Sequence, residues 1–134
     1  MALLPEEIRI GNWYLSTKWQ KPVKCELSDL AQLEFDCAGA ELDTDIIEQM
    51  FQPISLTKEW LLKFGFIKKQ YHYVLLLDNQ IEENYWFEVH FKEENEEFYI
   101  KIGEGDEKTF IGYFKYVHQL QNLYSDLSKN YNFN

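Results

Sequence analysis

The sequence predicts an α+β fold: a small N-terminal β element, a short capped helix, an antiparallel β meander, and a C-terminal helix packed on the sheet. Three observations carry this. Asn84 to Phe91, and again Phe98 to Ile102, place apolar side chains on one face with the period of a pleated strand. "PISLTKEWLLKFGF" has a helix start and stop signal within fourteen residues. Near the C-terminus, Val117, Leu120, Tyr124 and Leu127 recur at the spacing of one helical stripe. At 134 residues, one domain spanning 1–134 is expected, with a frayed tail over 129–134.

In chain order, "IRIGNWY" (Ile8 to Tyr14) reads as a short strand and "KPVKCEL" (Lys21 to Leu27) as its partner. Pro22 stands at the strand start, where its missing N–H does least harm. "SDLAQLE" follows as a helix with Ser28 as its cap. Asp36 to Gln52 is irregular, compatible with a loop, an edge strand or a helical turn. Thr57 is the expected N-cap of a helix from Lys58 to Phe64, with Leu56 and Leu61 as its hydrophobic staple. Gly65 takes the left-handed position past its end, and Phe66 folds back on Leu61. "YHYVLLL" (Tyr71 to Leu77) is a strand, followed by a turn through "DNQ" and "EE". In "NYWFEVHF", Tyr85, Phe87, Val89 and Phe91 share one face, and Trp86, Glu88 and His90 the other. "KEENEE" is a charged turn, and "FYIKI" returns with Phe98, Ile100 and Ile102 inward. "GEGDEK" is a second acidic turn before "TFIGYF". The last helix spans Lys115 to Ser128, and Gln119, Gln121, Asn122 and Ser125 take its polar side.

The charge balance narrows the function classes. There are 23 acidic and 13 basic residues, a net of −10, and Arg9 is the one arginine. Nucleic-acid binding needs clustered Lys and Arg to neutralise phosphates. This chain has the opposite field, so direct binding to nucleic acid or to an anionic membrane is not expected. No apolar run reaches the length of a membrane span. "MALLPEEIRIG" lacks the basic and apolar regions of a signal peptide. A cytoplasmic protein with reduced Cys25 and Cys37 follows.

Candidates for chemistry are few. His118 stands beside the stripe of the last helix, but Gln121 and Asn122 occupy the positions where a second ligand or partner carboxylate would be. It reads as a hydrogen-bonded histidine at a helix–sheet seam. His72 and His90 fall on neighbouring strands. With Cys25 or Cys37 they have none of the short Cys/His spacings of a zinc site, so no metal ligand is assigned. Nucleophile elbow, phosphate loop, HExxH and EF-hand patterns are all missing. The expectation is a non-enzyme without a cofactor.

The charge is unevenly placed. Between Glu82 and Glu107 stand ten acidic residues against Lys92 and Lys101, a segment net of −8. Such a run is ordinarily a solvated edge that keeps strands soluble. Read as an interface, it is an anionic face that docks on a basic protein. Its residues are Glu93, Glu94, Glu96, Glu97, Glu104, Asp106 and Glu107, with Trp86 and Tyr99 as aromatic anchors. Trp13, Trp19, Tyr71 and Tyr73 add to an aromatic set too large to be wholly interior.

Four stretches, "IRIGNWY", "KPVKCELSDL", "QPISLTKEWLLKFGF" and "YVHQLQNLY", together resemble a group of small proteins of Bacteroidetes and their phages and prophages. The acidic "KEENEEFYIKIGEGDEK" departs from that group. The resemblance implies an accessory protein of mobile-element origin and brings no catalytic residues with it. Joined to the charge, it yields the expectation of an inhibitor of a basic host enzyme that handles nucleic acid, such as a CRISPR effector, acting as a monomer or weak homodimer. The alternative is a structural or regulatory phage accessory protein that self-associates through its aromatic face.

Overall fold

The computed structural model describes residues 3–38, 40–76, 85–104 and 106–127, with the backbone alone for Tyr85 and Glu104. The turn expected at "DNQ" and "EE" and the expected tail over 129–134 lie outside the described residues. The fold is α+β, and the chain forms two compact units. One comprises residues 1–55 and 116–134, and the other is the intervening 56–115.

In the first unit, a single 3-10 turn (Pro5–Glu7) precedes strand β1 (Trp13–Ser16). Strand β2 (Pro22–Lys24) and strand β3 (Phe51–Gln52) flank β1, both antiparallel to it. The first strand thus begins at Trp13 rather than at Ile8. Gly11, at φ 91°, breaks the extended run, and its N–H is taken by the Cys25 carbonyl at 2.8 Å. Helix α1 covers Leu27–Asp36. Its cap is Glu26 rather than Ser28: Asp29 reaches back to accept from the Glu26 N–H at 2.8 Å, the reciprocal half of a capping box. The irregular region contains helix α2 (Thr44–Met50), capped by Asp43 accepting from the Asp45 N–H at 2.7 Å. Leu3, Ile8, Tyr14, Cys25, Leu33, Ile47 and Phe51 form the core of this unit.

Helix α4 (Val117–Leu127) closes the first unit against β1. The sheet that carries the C-terminal helix is therefore the N-terminal one. Val117, Leu120 and Tyr124 of the stripe are buried, whereas Leu127 is exposed. His118 and Gln121 are buried beside them, so the helix buries a wider arc than its apolar residues mark. The Gln121 side chain accepts from the Trp13 N–H at 2.8 Å and donates to the Gly11 carbonyl at 3.4 Å. Asn12 donates to the Asn122 side chain at 2.6 Å. Gln121, expected to face water, instead satisfies backbone groups at the start of β1, and Asn122 takes the side-chain amide of Asn12.

The second unit opens with helix α3 (Lys58–Lys63), formed as its sequence requires. The Thr57 hydroxyl accepts from the Trp60 N–H at 3.4 Å. At the other end the Phe66 N–H reaches the Leu61 carbonyl and the Gly65 N–H the Leu62 carbonyl, both at 3.0 Å, with Gly65 at φ 94°. That is a complete Schellman closure. A five-stranded antiparallel sheet follows in sequential order: β4 (Ile67–Lys68), β5 (Tyr73–Leu76), β6 (Tyr85–Lys92), β7 (Glu97–Glu104) and β8 (Glu107–Phe114). Tyr73, Phe87, Val89, Phe98 and Ile100 are buried on one face. Helix α3 lies on that side, with Lys58 Nζ 5.2 Å from the Phe91 ring centre.

Candidate functional site

The opposite face of the second sheet gathers the densest cluster of polar groups among the described residues. Period-two alternation puts Trp86, Glu88 and His90 there, as the sequence predicts. Cross-strand register aligns Glu88 with Val74 and Lys101, Trp86 with Leu76 and Gly103, and His90 with Tyr99. On β8 one residue, Ile111, is bulged out between the Ile100–Gly112 and Lys101–Phe110 pairs. The bulge lets Phe110 and Tyr113 share this face although three positions separate them.

Glu88 is the centre of the arrangement and is only 2% exposed. The sequence reading counts it with the solvated carboxylates; the structure removes it from that set. Trp86 Nε1 donates to its Oε2 at 2.7 Å, and Lys108 Nζ lies 3.1 Å from the same oxygen. His90 Nε2 is 3.0 Å from Oε1, and His72 Nε2 is 3.9 Å from it. Burial opposes the charge on this carboxyl, but the three hydrogen bonds from Trp86, His90 and Lys108 outweigh it and hold the pKa at about 2. For His72, burial outweighs the attraction of Glu88 and lowers the pKa. The indole of Trp86 lies over its cross-strand partner Gly103, which has no Cβ to obstruct it.

An aromatic ladder crosses the sheet through this centre. His72 stacks on His90 with 4.8 Å between ring centres, and His90 on Tyr99 at 4.9 Å. Tyr99 meets Tyr113 at 5.9 Å and Phe110 at 6.1 Å. Trp86 and Tyr99, the expected anchors, are thus half-buried parts of the sheet face. The more exposed rings are their β8 neighbours Phe110, at 52%, and Tyr113, at 49%. Sequence reasoning passes over these two because strict alternation separates them; only the bulge brings them together. Of the other aromatics singled out, Trp19 and Tyr71 are exposed and Tyr73 is buried.

The acidic residues fall into two groups. Glu93, Glu94 and Glu96 are exposed in the β6–β7 turn, with Glu97 half-buried at the start of β7. Asp106 and Glu107 are exposed at the β7–β8 turn. The eight residues of β7 separate the two turns, a span of roughly 25 Å at strand rise. The Glu104 side chain lies outside what the structure describes. Among the described residues, none of Glu93, Glu94, Glu96, Asp106 and Glu107 forms a salt bridge; Glu97 has Lys115 Nζ at 3.9 Å. Glu96 adopts φ 54°, a left-handed backbone that favours glycine or asparagine.

In the first unit His118 finds its partner 111 residues away: Nε2 is 2.5 Å from the Glu7 carboxylate. Its ring lies between Tyr14 and Tyr116, at 5.6 and 5.8 Å. Burial lowers its pKa against the pull of Glu7. Nδ1 is buried with no partner among the described residues, so the neutral Nε2–H tautomer fits, donating to Glu7. This is the seam histidine that the sequence suggests. Cys25 and Cys37 are both buried free thiols, and burial pushes Cys25 up to about 12, too high for a reactive thiolate. A cavity of about 490 Å³ is lined by Lys18, Trp19, Ile46, Met50 and Phe51 among others.

No helix among the described residues is long and apolar enough to cross a membrane. No family model, no curated protein and no solved structure matches the chain.

Proposed function

We propose that this protein is a non-enzymatic, acidic binding module that docks on a basic host protein, and that the partner is an enzyme acting on nucleic acid. CRISPR effectors are the class whose long basic channels fit best. Occupying such a channel inhibits the enzyme by competing with its nucleic acid. The observation that carries this reading is the β6–β7 turn, where Glu93, Glu94 and Glu96 stand exposed with no salt bridge among the described residues and Glu97 adjoins them. An exposed carboxylate contributes little affinity alone, but several on one rigid hairpin steer encounter with a basic surface. Glu96 adds weight: its left-handed backbone costs about 1 kcal/mol that glycine would avoid. Strain kept at an exposed carboxylate is what a binding turn would retain.

The test is a pull-down from a bacterial host lysate at low and high salt, with the captured proteins identified by mass spectrometry. Glu94→Lys/Glu97→Lys, which moves the net charge from −10 to −6, is the control. Recovery of a basic nucleic-acid enzyme, lost at high salt and lost with the variant, supports the reading. Equal capture by the variant overturns it.

A second reading, self-association as a phage accessory protein, draws on β8. This eight-residue strand is an edge of its sheet and carries exposed Phe110, Ile111 and Tyr113, and such an edge is a template for pairing. Light scattering separates the two: a salt-insensitive dimer favours self-association, a monomer the docking module.

A further inference from the structure

Beside this reading, and independent of it, the buried carboxylate of the second sheet has the geometry of a metal ligand. We infer that His72, Glu88 and His90 form a site for one zinc-class divalent ion, held by two imidazole nitrogens and one carboxylate oxygen, with a fourth position open to water.

The donor set is the first argument. Two histidines and a glutamate are a three-ligand set that suits zinc, and a fourth water completes a tetrahedron. Distance is the second. The three donor atoms lie within 4.8 Å of one another. Glu88 Oε1 is 3.0 Å from His90 Nε2 and 3.9 Å from His72 Nε2. Ligands bonded at about 2.0–2.1 Å in a tetrahedral site stand about 3.4 Å apart. Both carboxylate legs fall within about half an ångström of that spacing. The His72 separation is too long for a hydrogen bond, yet its Nε2 is near the same oxygen. An ion between them accounts for a donor held near Oε1 without a proton to share.

The surroundings are the third argument. Oε2 is fully engaged by Trp86 Nε1 and Lys108 Nζ, which turns Oε1 alone toward the imidazoles, as outer-shell partners do around bound metals. Stacking fixes both rings: His72 lies against His90, and His90 against Tyr99 with only 8° between planes. His72 and His90 are partly open to solvent, at 24% and 18% of their side chains, so an ion has a path in. Binding replaces the proton on His90 Nε2, which leaves to solvent while the ring keeps or takes its proton at Nδ1, and the imidazole donors, which lie within 4.8 Å of each other, close on the ion by side-chain rotation. The positive charge of Lys108 opposes the ion and keeps the affinity below that of a structural zinc site.

The experiment uses the untagged full chain, stripped with chelator, titrated with Co²⁺ and then Zn²⁺. The expected result is the visible absorption of four-coordinate cobalt at one ion per chain, without thiolate charge-transfer bands, bleached by Zn²⁺. The melting temperature rises with metal concentration. His72→Ala, at a half-buried position on a bend outside the strands, and His90→Gln each abolish the cobalt band. The metal-free circular dichroism of His72→Ala stays native, so loss of the band there is loss of a ligand. Absence of both the band and the melting shift overturns the inference. So does a band that survives His72→Ala, which would put the ion elsewhere.

Discussion

Gly103→Ala is a small change on a β strand, and in most strands it would be neutral or slightly stabilising. Here the added Cβ would stand 2.1 Å from Trp86 Cε2 and 2.2 Å from Cζ2. Carbon atoms pack at about 3.5–4.0 Å, so the indole must move by about 1.5 Å or the strands must part. Either movement breaks the 2.7 Å bond from Trp86 Nε1 to the buried Glu88 carboxylate. Overpacking costs about 1–3 kcal/mol, and a lost hydrogen bond to a buried charge about 1.5–3 kcal/mol. The two share one displacement, so about 3 kcal/mol is expected rather than their full sum. Urea unfolding followed by circular dichroism measures it. In a Trp86→Ala background the same substitution should cost nothing, because the ring it strikes is gone. A Gly103→Ala protein within about 0.5 kcal/mol of the parent, or an equal cost with Trp86 removed, would refute the packing argument.

Three further outcomes follow from single contacts. The unfolded chain protonates His118 near its ordinary 6.5, whereas burial lowers that pKa in the folded state. Stability should therefore be full above pH 6.5 and fall as pH drops below it, by up to about 1.4 kcal/mol per pH unit. His72 shifts the same way, so denaturation of His118→Gln across pH 5–7, about where an unperturbed histidine titrates, isolates the His118 share as the slope it removes. Glu96→Gly should stabilise the chain by about 1 kcal/mol by relieving φ 54°, while weakening capture of the basic partner in the pull-down. Gln121→Ala leaves the Trp13 N–H without its 2.8 Å acceptor and should cost about 1–3 kcal/mol, with faster hydrogen exchange at that amide.

What the sequence discloses depends on how far apart the interacting residues lie. Helix α3 is fully legible because cap, staple and Schellman closure all fall between Leu56 and Phe66. The faces of β6 are legible because alternation is a property of one strand. Helix α2 could have been read from Asp43 and the Ile46–Ile47–Met50 spacing, but acidic residues and Gly39 around it weaken the pattern. The roles of the polar residues were not legible. Glu7 and His118 meet across 111 positions, and Gln121 serves a backbone amide 108 positions away. Composition assigns such residues to water by default. Glu88 illustrates this most clearly. In a run of ten acidic residues it looks like one more solvated charge. Its neighbours Trp86 and His90, two positions away on either side, were the available hint that it faces partners.

The acidic turn carries the proposed function, and inhibition tests it more directly than binding does. The measurement is nucleic-acid cleavage or unwinding by the captured basic enzyme, with increasing amounts of the protein or of Glu94→Lys/Glu97→Lys. Stoichiometric inhibition by the parent, relieved by salt, is expected, and none by the variant at equal folded stability. Inhibition of the same strength by the variant, or unimpaired activity with the parent bound, would contradict it.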